Sequence, residues 1–184
     1  MSLVYTPEVE LGALCPSFSL PSVTSGTVDS SSLQNGRPFL VMFICNHCPY
    51  VKAIEDRLLQ LGQDFLKNDL RIVAICSNDP ADYPEDSFEN LGQRARDKNY
   101  PFPYLFDETQ AVAKSFGAVC TPDFFLYDKN SRLAYRGRLD DAWKDPAKVK
   151  RQELKAALER LLAGQSAPVD QVPSMGCSIK WKES

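Results

Sequence analysis

Residues Pro38-Phe39-Leu40-Val41-Met42-Phe43-Ile44 form a short, nearly unbroken apolar run that ends on Cys45-Asn46-His47-Cys48. Such a run, with no polar alternation, has the pattern of a strand buried on both faces, as in a parallel sheet covered by helices. Directly after it, Val51, Ile54, Leu58, Leu61 and Phe65 recur at three- and four-residue steps, the apolar stripe of one helix. Lys67-Asn68 then offers a stop. The two cysteines therefore stand where a buried strand turns into a helix.

The rest of the chain extends this α/β pattern. Residues 70–75 predict a second buried strand, and the acidic, turn-rich stretch 77–86 follows it. Asp86-Ser87-Phe88-Glu89 has the spacing of a capping box and predicts a helix to about Lys98. Residues 102–106 predict a short strand, residues 107–110 open a further helix, and Gly117 ends that helix in the left-handed conformation. Residues 124–127 and 133–136 read as a hairpin across Asp128-Lys129-Asn130-Ser131. A last amphipathic helix carries Val149, Leu154, Ala157, Leu158, Leu161 and Leu162. The order β-α-β-α-β-α-β-β-α predicts a central mixed sheet flanked by helices, parallel where helices cross over and antiparallel in the closing hairpin. Residues 18–21 and 27–29 predict a small N-terminal hairpin extension. The expected organisation is one domain over 1–165 and a polar C-terminal tail over 166–184, whose segment 175–181 is too apolar for a linker.

Composition narrows the function. The 21 basic and 24 acidic residues are interleaved, which argues against a nucleic-acid surface. No segment approaches the roughly 18 apolar residues of a membrane span, so no membrane partner is expected. The first residues carry neither a basic nor a long apolar stretch, and a cytoplasmic location is the expectation. In that reducing compartment six cysteines are not a disulfide scaffold, and their spacing matters more than their number. Cys45 and Cys48 form the C-x-x-C pair; Cys15, Cys76, Cys120 and Cys177 stand alone in sequence.

A cysteine reacts as its thiolate, which the unpaired amides and partial positive charge of a helix N-terminus favour. This argument makes Cys45 the attacking sulfur and Cys48 the sulfur that resolves a mixed disulfide across one turn. His47, the single histidine, is placed to support the thiolate when protonated, and Asn46 adds a polar amide without charge. Pro49 has no amide and suits a first turn, so Cys45 is left to the amides of His47 and Cys48. The competing reading is half of a zinc site, which needs two further ligands from Cys120, Cys177 or His47. The strand-to-helix setting favours redox chemistry, with neither metal nor organic cofactor expected.

The strand ending in C-x-x-C, followed by Thr121-Pro122 and a hairpin, resembles the thioredoxin fold. More closely, Cys45-Asn46-His47-Cys48-Pro49-Tyr50-Val51, Ser77-Asn78-Asp79, Thr121-Pro122-Asp123-Phe124-Phe125 and Gly176-Cys177-Ser178-Ile179-Lys180-Trp181 resemble the peroxiredoxin-like thioredoxin-family proteins of the alkyl hydroperoxide reductase and thiol-specific antioxidant superfamily. The resemblance runs over nearly the whole chain. It implies a thioredoxin-like core with a small N-terminal extension and a cis Thr121-Pro122 peptide beside the cysteines, where backbone groups would pair with an extended substrate.

The departures shape the functional expectation. Thioredoxin carries a buried aspartate six residues before its first cysteine, where this chain has Phe39, and a tryptophan just before the motif, where it has Ile44. Proton transfer then falls to Asp123 or a water. Cys48-Pro49 resembles a peroxidatic Cys-Pro, but Cys45 replaces the hydroxyl residue three positions earlier. Arg136 and Arg138 are candidates for a peroxide-activating charge, although both read as exposed hairpin residues. The leading expectation is a thiol-disulfide oxidoreductase using a Cys45–Cys48 couple. A thiol-dependent peroxidase, a metal-binding or redox-sensing protein using Cys45, Cys48 and a third thiol, and a non-enzymatic adaptor are the alternatives. Expected partners are a protein or small-molecule thiol or disulfide and a reductant such as a thioredoxin or glutathione system. Cys120 and Cys177 are candidate additional redox thiols, Cys15 and Cys76 are packing residues, and the acidic loop 79–86 reads as a solvated turn.

Overall fold

The computed structural model describes residues 3–7, 10–24, 26–34, 36–68 and 70–183. In chain order the elements begin with β1 (Leu3–Tyr5), β2 (Ser19–Pro21), β3 (Thr27–Asp29), β4 (Phe39–Phe43), α1 (Pro49–Leu66) and β5 (Arg71–Cys76). Then come α2 (Phe88–Asp97), β6 (Tyr104–Phe106), α3 (Ala111–Phe116), β7 (Cys120–Thr121), β8 (Asp123–Tyr127), β9 (Leu133–Arg136), α4 (Glu153–Leu162) and β10 (Met175–Ser178).

The apolar run becomes β4, the middle strand of a five-stranded sheet ordered β6-β5-β4-β8-β9. It pairs parallel with β5 and antiparallel with β8, and none of its residues is exposed. Alternation divides it between two cores. Leu40, Met42 and Ile44 face a layer built by Val51, Ile54, Leu58, Leu61 and Phe65 of α1, Leu91 and Ala95 of α2, and Leu154, Ala157 and Leu158 of α4. Phe39, Val41 and Phe43 face the opposite layer, where Ala113 and Phe116 of α3 meet Phe18 and Leu20 beside the β2–β3 hairpin. The apolar stripe of α1 thus packs onto the sheet with Cys45 and Cys48 inside the same layer. Glu55 on α1, itself buried, locks α1 to α2 by accepting both Arg94 hydrogen bonds (2.6 and 2.8 Å) and the Tyr100 hydroxyl (2.7 Å).

The predicted mixed sheet, flanking helices and N-terminal hairpin are all present, with three local differences. The cap of α2 is Ser87, whose hydroxyl accepts from Asn90, one residue later than the capping-box reading. The reason is that the Asp86 side chain turns inward. Helix α4 starts at Glu153, and Val149 lies ahead of it at the end of a short helical turn. The third difference is a second, three-stranded sheet, in which β10 of the tail lies antiparallel between β1 and β7. Among the described residues no helix is long and apolar enough to cross a membrane.

Candidate active site

Helix α1 begins at Pro49, and its N-cap is Cys48. The helix-start argument made from the sequence for Cys45 therefore applies to Cys48. Cys48 takes the cap position, and the backbone N–H of Val51, the third residue of the helix, favours its thiolate. The neighbouring Cys45 thiol and the thiol and backbone N–H of Cys177 act on it in the same direction. The hydrogen bond from Cys45 is the largest influence, burial opposes it, and the remaining donors carry the Cys48 thiol well below its ordinary value. One group works the other way. The Thr121 carbonyl lies 3.2 Å from the Cys48 sulfur, accepts its proton in the thiol form and faces the anion once that proton leaves.

Cys45 has the opposite environment. Burial, its bond to the Cys48 sulfur and the negative charge of Asp86 all push its thiol well above the ordinary range. Its sulfur lies 3.2 Å from the Thr121 hydroxyl. Of the two amides expected to stabilise it, that of His47 points elsewhere, donating to Asp86 Oδ1 at 3.1 Å, which also takes the Asn46 amide at 2.6 Å. The pair is thus polarised, with Cys45 the proton donor and Cys48 the incipient thiolate.

Asp86 is the residue that the sequence reading passed over. It is fully buried rather than part of a solvated turn. Besides the two loop amides, it pairs with His47 Nδ1 and accepts the Asn78 side-chain amide at 2.8 Å. Burial alone would raise its carboxyl; the His47 and Asn78 bonds, with the Asn46 amide, outweigh it and hold the group below its ordinary value. His47 also stacks on Tyr83, with ring centroids 4.2 Å apart. The Asn46 side chain donates to the carbonyls of Glu85 (2.9 Å) and Asn90 (3.1 Å). Asn46 and His47 therefore anchor the C-x-x-C loop to the 83–90 segment. The sequence signal for this was Ser87-Phe88-Glu89-Asn90, which supplies a complete cap and releases Asp86 from that duty.

The Thr121-Pro122 peptide is cis and lies against both sulfurs through Thr121. The edge of β7 beside it is taken by the chain's own C-terminal strand, with Cys177 opposite Thr121 and Ser178 opposite Cys120. Further bonds hold this strand in place. The Ser174 hydroxyl donates to Pro122 O (2.8 Å), the Ile179 amide donates to Val119 O (2.9 Å), and the Lys180 amide donates to Asn78 Oδ1 (2.9 Å). Asn78 thereby joins the tail to Asp86 and the C-x-x-C loop. Cys45 and Cys48 are 2% and 0% exposed beneath this cover, so a polypeptide cannot reach either sulfur while β10 is in place.

The profile of the AhpC/TSA family matches residues 11–136. The chain belongs to the AhpC/TSA family. Among solved structures, a conserved uncharacterised protein from Geobacillus kaustophilus is 43% identical with a TM-score of 0.95, over 100% of this chain and 98% of that one. A hypothetical protein from Sinorhizobium meliloti 1021 is 39% identical with a TM-score of 0.93, over 98% and 99% of the two chains. A thiol:disulfide interchange protein of the thioredoxin family from Chlorobium tepidum is 17% identical with a TM-score of 0.65, over 84% and 99%, which shows a shared fold. Comparison with curated proteins finds no match.

Membership in the AhpC/TSA family brings thioredoxin-like redox function, and the structure sorts the remaining candidates. Asp123 is not beside the sulfurs. It pairs across the sheet with Phe43, on the layer opposite the cysteines, and is bound by Arg136 at 2.7 Å. Burial pushes its carboxyl up to about 6 against that pairing, and its place in an ion pair makes it a structural group rather than a proton acceptor for Cys45. Arg136 is correspondingly buried, stacks over Phe125 and donates to Gly117 O, while Arg138 binds Glu153. Neither is an exposed cation available to a peroxide. Cys120 is fully buried, and burial followed by the charge of Asp123 raises its thiol, the profile of a small packing residue. All six cysteines are free of disulfide bonds. Among the described residues, the group of ligand atoms lying within 4.8 Å of one another is Cys45, His47 and Asp86, not a set of three thiols. Asp86 already spends both oxygens on hydrogen bonds within that group and its surroundings.

Proposed function

We propose that this AhpC/TSA protein is a thiol-disulfide oxidoreductase working through a Cys45–Cys48 dithiol/disulfide couple, with Cys48 as the attacking thiolate. The observation that carries the reading is Cys48 in the cap position at the N-terminus of α1. A thiolate of lowered pKa is both the better-populated nucleophile at neutral pH and the better leaving group when the disulfide is reduced again. Attack by Cys48 on a substrate disulfide R–S–S–R′ releases R′S⁻ and leaves Cys48–S–S–R. Cys45 then gives up its proton, attacks the Cys48 sulfur and expels RS⁻, closing the Cys45–Cys48 disulfide. Two electrons pass from the dithiol to the substrate, and a thioredoxin or glutathione system of the cytoplasm returns them.

A thiol peroxidase is the second reading, favoured by Cys48-Pro49 at the start of the helix and by the burial of both sulfurs, which a small oxidant reaches more easily than a protein. Against it stand Arg136, buried in its pair with Asp123, and Arg138, engaged by Glu153. Titrating the purified protein against glutathione buffers, with Cys45→Ser and Cys48→Ser as controls and peroxide consumption measured alongside, separates the two. A reversible Cys45–Cys48 disulfide, identified by peptide mapping, that either substitution abolishes is the expected result. Rapid peroxide turnover that survives Cys45→Ser would replace it with the second reading.

A further inference from the structure

Strand β10 does more than close the domain. It occupies the β7 edge next to Thr121-Pro122, where an extended substrate would form its backbone bonds, and it does so with a cysteine in the central position. Cys177 is in register with Thr121, whose carbonyl contacts the Cys48 sulfur, and both the thiol and the backbone N–H of Cys177 reach that same sulfur. The residue before it is specified by the contact. A Cβ built on Gly176 would collide with the carbonyl of Thr121, so only glycine lets the strand lie close enough to bring Cys177 to Cys48.

We infer that Cys177 is a second resolving thiol for Cys48, carried by a C-terminal strand that fills the substrate edge from within the chain. This rests on Cys48 being the attacking sulfur. The strand lifts from β7 to admit a disulfide, Cys48 attacks it, and the returning strand presents Cys177 to the mixed disulfide Cys48–S–S–R. The Cys177 thiolate attacks the Cys48 sulfur, the bond to R breaks, and RS⁻ leaves with the proton that Cys177 gave up. The product is a Cys48–Cys177 disulfide. Cys48 and Cys177 lose the two electrons that the substrate disulfide gains. In that state the strand is covalently fastened over the site, and the edge is closed to a further substrate until a thiol reductant opens it.

The test exposes the full chain to oxidised glutathione, quenches with acid, alkylates the remaining thiols and maps the cysteine peptides by mass spectrometry. In Cys45→Ser, the expected product is the Cys48–Cys177 disulfide with no glutathione retained. In Cys45→Ser/Cys177→Ser, Cys48 is expected to hold one glutathione. Cys45→Ser/Gly176→Ala is expected to lose the Cys48–Cys177 cross-link and to keep glutathione on Cys48. Cys45→Ser protein that keeps glutathione on Cys48 and an alkylatable Cys177 overturns this inference and leaves the Cys48 assignment standing. A double variant in which Cys48 never takes up glutathione overturns both. A cross-link that forms in Cys45→Ser/Gly176→Ala at the rate seen in Cys45→Ser overturns delivery by the strand.

Discussion

Replacing Asp86 by alanine tests the account of the site most directly, because one carboxylate organises the whole C-x-x-C loop. Its removal strands the amides of Asn46 and His47, the Asn78 side-chain amide and the His47 ring, all within a buried pocket. A buried donor left without a partner costs about 1–3 kcal/mol, and breaking a buried charged pair costs about 3–5 kcal/mol. These terms overlap, so the expected loss is about 4 kcal/mol. With a urea slope of about 2 kcal/mol/M, the unfolding midpoint of the reduced protein falls by about 2 M. Asp86→Asn keeps an acceptor for the two loop amides but sets its own amide against Asn78, and an intermediate loss follows. The pH dependence supplies a second readout. The folded carboxyl titrates below its ordinary value of 3.8, so its contribution is complete above that value and disappears as pH falls through the folded pKa. The gap between parent and Asp86→Ala should therefore narrow in acid. A midpoint shift under about 0.5 M, against the roughly 2 M expected from that slope, or a gap unchanged on acidification would refute the reasoning.

The thiolate assignment predicts that the alkylation rate of Cys48, normalised to its maximum, has a midpoint near pH 5 and is flat through neutrality. Cys45→Ala, which removes the main donor, should move that midpoint toward the ordinary thiol value of about 8.5, and a parent midpoint already there would count against the polarised pair. Asp123→Asn should cost about 3–5 kcal/mol in urea unfolding by leaving Arg136 buried and uncompensated, yet leave the Cys48 profile unmoved. A shifted profile would return Asp123 to the active site. Phe39→Ala, which deletes a buried ring stacked on Tyr127 at 5.0 Å, should cost about 3–5 kcal/mol while leaving the dithiol potential unchanged, because Phe39 faces the layer opposite the cysteines. A changed potential would show that this face communicates with the sulfurs.

Local pattern made most of the fold legible. The apolar run of β4, the stripe of α1 and the turn at 128–131 are short-range features, so their periods and breakers survive in the sequence whatever surrounds them. The same holds for the reactive centre, since C-x-x-C at a strand-to-helix junction is a local arrangement. Which cysteine would be the thiolate was not local. It depends on Pro49 fixing the helix start at Cys48, and on Asp86, about forty residues further along the chain, drawing away the His47 amide that Cys45 would have used. Asp86 and Asp123 show how far charge alone misleads. The first sat among solvated-looking acids and is buried at the site; the second sat beside the proline and serves an ion pair on the other face. The sequence alone determined the sheet, the helices and the two sulfurs, because these follow from residue types a few positions apart. Only the tertiary structure decided that Asp86 anchors the C-x-x-C loop and that the strand carrying Cys177 lies beside Thr121, because both depend on hydrogen bonds and strand pairing between distant segments, which leave no periodic trace in the chain.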